Sequence, residues 1–216
     1  MKVYAIDQSL RGFAHMILED GKSIFSERID TEGLTGFDRI ESIMKKVEAL
    51  LDAHKCDVIV MENYAFSAQT NNITKLAELG GCIKREIFKR GYATGRDAIL
   101  RGTPVFFTQT QGQMKKFCLA SGSMKKDSRY LLEVMERIKI SFQNDDEADA
   151  YMHAWTASIV VGVIRGQVEL SSLSGYQQES LLERAVKHRK GLSMTKALKL
   201  PEVEKRKLVL ELEVGS

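Results

Sequence analysis

Apolar and polar positions divide the first half of the chain into short strands and two long helices. Lys2-Val3-Tyr4-Ala5-Ile6-Asp7 is an apolar run closed by an acid, and it predicts a strand over 2–7. Residues 13–18 predict a second strand, Asp20-Gly21 a tight hairpin turn, and residues 23–29 a third strand returning beside the second. Over 37–54, Phe37, Ile40, Ile43, Met44, Val47, Leu50 and Leu51 recur at helical spacing. The continuous run 57–62 then ends in Glu62, as in a strand buried on both faces. A second helix is expected over 72–90 with Gly91 as its stop, and a fifth strand over 104–108 after Pro104.

Helical pattern dominates afterwards, over 110–119, 126–138 and 146–164. Strands first, then helices interleaved with strands, predict an α/β fold: a mixed sheet with helices on both faces. Residues 167–178 lack periodicity and read as a linker, dividing the chain into a domain over 1–165 and a basic extension over 166–216. In that extension 179–190 and 193–198 read as helices, and 202–214 fits helix or strand.

Composition narrows the function classes. A hydrophobic fraction of 44% argues for a folded domain. No run approaches the roughly 20 apolar residues that span a bilayer, and the start lacks a secretory leader, so a cytoplasmic protein is expected. Cys56, Cys82 and Cys118 are too few and too scattered for a disulfide framework or a zinc knot. The net charge of +3 conceals a strong segregation. Residues 1–74 carry 8 Lys and Arg against 12 Asp and Glu, whereas residues 75–130 carry 12 against 4. Residues 131–160 return to 2 against 6. Such a pattern suits an enzyme that holds phosphates with cations and metal with carboxylates, although solvated helix faces give the same counts.

Four acids fall where that chemistry needs them. Asp7 and Glu62 each end an apolar strand, and parallel strand ends form a shared rim. Asp146 and Asp149 lie three residues apart in Asp145-Asp146-Glu147-Ala148-Asp149-Ala150, so both project from one side of a helix's first turn. Singly, each is explained as a turn cap or a helix-dipole acid. Gathered together they repel one another unless a cation sits between them, and oxygen ligands suit Mg²⁺ or Mn²⁺. Two such ions about 4 Å apart serve phosphoryl transfer. His153, four residues past Asp149, shares its helix face and is a possible auxiliary, with a satisfied core or surface histidine as the plain alternative.

These motifs resemble those of the RuvC-type Holliday junction resolvases of the RNase H-like superfamily, especially the longer forms carried by bacteriophages. Ala5-Ile6-Asp7-Gln8-Ser9-Leu10-Arg11-Gly12 resembles their first strand and turn, with Gln8-Ser9 in place of the usual Pro-Gly. Val60-Met61-Glu62-Asn63-Tyr64-Ala65-Phe66 resembles the second motif, and Asp146-Glu147-Ala148-Asp149-Ala150 the final Asp-x-x-Asp-Ala. The resemblance covers roughly residues 1–160. It implies a five-stranded mixed sheet and a homodimer that nicks opposing strands of a four-way DNA junction. It further implies two Mg²⁺ ions on Asp7, Glu62, Asp146 and Asp149, with products bearing 5′-phosphate and 3′-hydroxyl.

The resemblance also places DNA contacts. Tyr64 or Phe66 would stack on bases at the junction centre, and Lys115 and Lys126 would lie near the scissile phosphate. Lys84, Arg85, Lys116 and Lys125 are further phosphate-contact candidates, and the cluster at 184–190 would extend the footprint. The helix over 72–90 corresponds to the family's dimerisation helix, although its stripe of Leu76, Leu79, Ile83 and Ile87 equally suits burial within one protomer. Two other readings remain: a broader branched-DNA or flap nuclease, and a non-catalytic junction-binding scaffold.

Overall fold

The computed structural model describes residues 1–9, 12–63, 70–122, 129–188 and 192–212. Five strands form one sheet in the order β3-β2-β1-β4-β5. β1 (Lys2–Asp7), β2 (Gly12–Glu19) and β3 (Lys22–Asp30) are antiparallel, while β4 (Val58–Glu62) runs parallel to β1, and β5 (Val105–Gln109) parallel to β4. Asp20 and Gly21, at φ 50° and 80°, turn the β2–β3 hairpin in left-handed backbone that matches the strands' twist. β1, β2 and β4 are buried on both faces, whereas β3 is an edge strand whose side chains are mostly exposed.

The pleat sends alternate side chains to two cores. Tyr4, Ile6, Phe13, Ile17, Ile59 and Met61 face α1 (Gly36–Ala53) and α2 (Thr70–Lys89). Val3, Ala5, Ala14, Met16, Val58 and Val60 face α4 (Gln111–Leu119), α5 (Tyr130–Ile138) and α6 (Asp145–Arg165). The expected mixed sheet with helices on both faces is therefore the observed architecture. Among the described residues, no helix is long and apolar enough to cross a membrane.

Periodicity missed some elements and misplaced some side chains. The short helix α3 (Arg96–Arg101) was not expected, because with only Ala98 and Ile99 buried it carries no measurable stripe. Gly95 and Gly102, both in left-handed backbone, punctuate it. Phe37, placed on the apolar stripe of α1, is 74% exposed in the helix's first turn. On α2, Leu79, Ile83 and Ile87 are fully buried against the protomer's own sheet and α1, with Leu76 half-buried.

The segment 167–178 holds a 3-10 turn, Leu170–Ser172, and the start of α7 (Gly175–His188). It is followed by α8 (Met194–Leu198) and α9 (Glu202–Leu212), which resolves the last segment as helix. Leu170, Leu182, Ala197, Leu208 and Val209 join the same core as Val160 and Ile164 of α6. The Arg206 guanidinium donates to the Ile164 carbonyl from Nε at 3.1 Å and from Nη2 at 2.6 Å, satisfying an acceptor left open at the C-terminus of α6.

Candidate active site

The parallel strands β1, β4 and β5 end at one rim, in Asp7, Glu62 and Gln109. Ile6 pairs with Met61 and Glu62 with Gln109, so the three terminal side chains follow one another across the sheet. α6 starts at the same rim. Its first turn is set by Asn144, whose side chain accepts from the Glu147 amide at 2.8 Å, and by three acids that the helix dipole favours there.

The turn after β1 is built by the two residues that depart from Pro-Gly. Gln8 Nε2 donates to the Glu62 carbonyl at 2.9 Å, tying the ends of β1 and β4 together. Ser9 Oγ accepts from the Gly12 amide at 3.2 Å. Gln8 Oε1 is buried with no hydrogen-bond partner among the described residues, an oxygen at the ends of β1 and β4.

Each predicted acid is at the rim, in a different setting. Asp7 is only 5% exposed, and Glu62 beside it is half-buried. Asp149 is fully buried; its Oδ1 accepts from the Tyr130 hydroxyl and its Oδ2 from Gln111 Nε2 at 3.0 Å. Burial, followed by the charges of Asp149, Asp145 and Asp7, pushes the Tyr130 hydroxyl far above its usual range, so Tyr130 remains a donor. Asp146 lies at the other end, where its Oδ2 accepts from Arg28 Nε of β3 at 2.9 Å. The hydrogen bond that it donates to Asp146 in turn raises the Arg28 guanidinium above its ordinary value.

The acids are thus strung along the rim from β2 to α4. A Cβ at Gly12 of β2 would come within 2.6 Å of Asp146 Oδ2, whereas Asp149 reaches α4 and α5. Among the described residues, no three His, Cys, Asp or Glu side chains are gathered closely enough to hold a metal ion. In kind, however, the donors suit one: carboxylates and a buried amide oxygen are the hard ligands that Mg²⁺ and Mn²⁺ take.

The basic and auxiliary candidates scatter. Lys115 is 3% exposed, with its ammonium 4.6 Å from the centre of the Tyr130 ring, so it lies in the floor of the site. Lys116 is paired with Glu183 of α7 at 2.7 Å. Half-buried Lys84 and exposed Arg85 are on α2, across the sheet from α4. Tyr64, Phe66, Lys125 and Lys126 lie outside the described residues. His153 is fully buried one turn below Asp149, with Nδ1 3.1 Å from Gln109 Oε1.

Sequence reasoning missed Arg28, Gln111 and Tyr130. Arg28 sits in a strand that reads as an ordinary solvent-facing edge, and Tyr130 reads as core. The polar run Gln109-Thr110-Gln111-Gly112-Gln113 did carry a signal, since a strand followed at once by amides supplies donors to a rim. Thr110 and Gln113 form a capping box that starts α4 there.

A mixed sheet in this order, with acids on two adjacent central strand ends and a third element closing the rim, is an RNase H-like fold. Among solved structures it is shared with RuvC of Thermus thermophilus. One structure of that protein is 18% identical over 77% of this chain and 97% of its own, with a TM-score of 0.57. A second, RuvC in complex with Holliday junction substrate, is 17% identical over 71% of this chain and 90% of its own, with a TM-score of 0.54. No protein-family model matches the sequence, and neither does any curated protein.

Proposed function

We propose that this chain is a metal-dependent endonuclease that resolves Holliday junctions by paired nicks. The observation that carries the reading is the placement of Asp7, Glu62, Asp146 and Asp149 along one rim of a sheet whose fold is shared with RuvC. Support for the substrate comes from the RuvC structure that holds a Holliday junction.

Divalent cations bound by the four carboxylates, two in the leading reading and Mg²⁺ by preference, would supply Lewis acidity at the phosphate and lower the pKa of an attacking water. The chain's own groups do the rest. The Gln8 side chain, donating to the Glu62 carbonyl, ties the ends of β1 and β4 together. Tyr130 and Gln111 orient the Asp149 carboxylate, and Lys115 adds positive charge to the floor near it. The resulting hydrolysis would leave 5′-phosphate and 3′-hydroxyl ends.

Each protomer carries one such rim, so symmetric nicking needs two protomers. A homodimer is part of the proposal, with the exposed side of α2 as the leading contact because the Leu79–Ile83–Ile87 stripe is occupied internally.

The test is cleavage in Mg²⁺ of a four-way junction, a three-way junction, a flap, a linear duplex and an RNA–DNA hybrid. Symmetric nicks confined to the four-way junction are expected. Equal cutting of flaps and three-way junctions would establish a broader debranching nuclease. Binding without cleavage in Mg²⁺ or Mn²⁺ would establish a scaffold.

A further inference from the structure

The rim has one feature that a metal site does not require: a guanidinium on one of its carboxylates. Arg28 projects from the edge strand β3 and meets Asp146 over Gly12 of β2. Gly12 leaves the room in which they meet, since a Cβ there would come within 2.6 Å of Asp146 Oδ2 and 2.9 Å of Arg28 Nη2 and would push these two side chains aside. Asp7 and Glu62 end β1 and β4, further along the sheet, and Asp149 is held by Tyr130 and Gln111. Arg28 and Asp146 therefore meet on the β3 side of the rim.

Resting on the nuclease reading above, we infer that Arg28 is a positioning residue that holds Asp146 until a divalent cation takes its carboxylate. The guanidinium and the cation compete for the same anionic oxygens. Occupying Asp146 relieves the repulsion among the rim acids in the cation-free protein, and it subtracts from the free energy of cation binding. The pair is suited to exchange. Arg28 is 42% exposed and Asp146 21%, and ion pairs in that setting are weak and readily opened. The Arg28 side chain can swing into solvent without unpacking the core, since β3 is an edge strand with few buried side chains. Gathering the carboxylates around a cation then includes a movement of Asp146 away from Arg28, toward a rim where Asp7 and Asp149 are buried.

The experiment measures Mn²⁺ binding to the full chain without DNA, by electron paramagnetic resonance, for the wild type, Arg28→Gln, Arg28→Lys and Asp7→Asn. Removing the competitor should make Arg28→Gln bind Mn²⁺ about two- to fivefold more tightly. Arg28→Lys, which keeps a competing cation, should stay near the wild type. Equal or weaker binding by Arg28→Gln, with wild-type binding abolished in Asp7→Asn, overturns the role of Arg28 and leaves the carboxylate site standing. Wild-type binding that is absent or insensitive to Asp7→Asn overturns both. A lysine variant as tight as the glutamine variant would also overturn the inference, because competition by charge would then not set the affinity.

Discussion

Two buried tyrosines, on opposite faces of the sheet, are bonded to titratable partners with opposite consequences. On the α1 face, Tyr4 is hydrogen-bonded to His15 Nδ1 at 2.9 Å, and His15 Nε2 lies 3.2 Å from Glu27, which is paired with Lys46 at the surface. The rings of Phe13 and Phe25 pack edge-on against His15. That chain closes on itself, its one carboxylate answered by an ammonium. On the α4 face, Tyr130 donates to Asp149, in a neighbourhood that also holds Asp145 and Asp7. There three acids share the surroundings of one hydroxyl. A polar network built only for stability ends in one matched pair, whereas the rim brings several acids into one neighbourhood, the pattern of a functional site.

The largest expected effect breaks the rim. Asp7→Asn should abolish junction cleavage while leaving junction binding intact. A variant that cleaves at the wild-type rate would remove Asp7 from the site.

Next in size, Tyr130→Phe keeps the ring under Lys115 and removes only the hydroxyl that orients Asp149. A loss of roughly tenfold in cleavage rate is expected, in line with one hydrogen bond to a charged group. An unchanged rate would make Tyr130 ordinary core.

On the other face, Tyr4→Phe strips His15 of a buried partner. It should cost about 1–3 kcal/mol of stability in denaturant unfolding and leave cleavage unaltered. A cleavage defect at equal stability would abolish the contrast between the two networks.

The smallest effect is a slope. Burial holds the folded His15 below its ordinary value of 6.5, against the opposing pull of Glu27. The unfolded chain therefore binds more protons just below pH 6.5, and stability falls as pH drops from there toward the folded pKa. The His15 contribution is fully present above the ordinary value of 6.5. Burial works to raise the Glu27 carboxyl, but hydrogen bonds from Lys46 and His15 outweigh it, so loss of its contribution begins below about 4.5. Unfolding free energies between about pH 6.5 and 5 separate histidine titration from that of Glu27, and a substitution assigns the share of His15. His15→Gln should flatten that segment, and an unaltered slope would assign it to another group.

Much of the frame was legible before any coordinates. The hairpin followed from Asp20-Gly21, the two-faced burial of β4 from an unbroken apolar run, and the acids at strand and helix ends from their positions alone. What escaped was whatever lacked periodicity. α3 is six residues long between two glycines, and Phe37 sits on the stripe by number but in the exposed first turn by geometry. The dimerisation stripe on α2 shows the same limit, since a pattern of apolar residues states that a face is covered and not by what.

By itself, the sequence determined which residues are acidic, which elements they end and that those elements alternate as in an α/β fold, because local pattern encodes secondary structure and strand ends. Only the tertiary structure decided which partner each acid meets: Arg28 for Asp146, Tyr130 and Gln111 for Asp149, and the Gln8 bridge beside Glu62. Those partners lie up to 118 positions away along the chain. Contacts at that separation depend on how the sheet orders its strands and where α6 crosses it, and no local pattern carries that information.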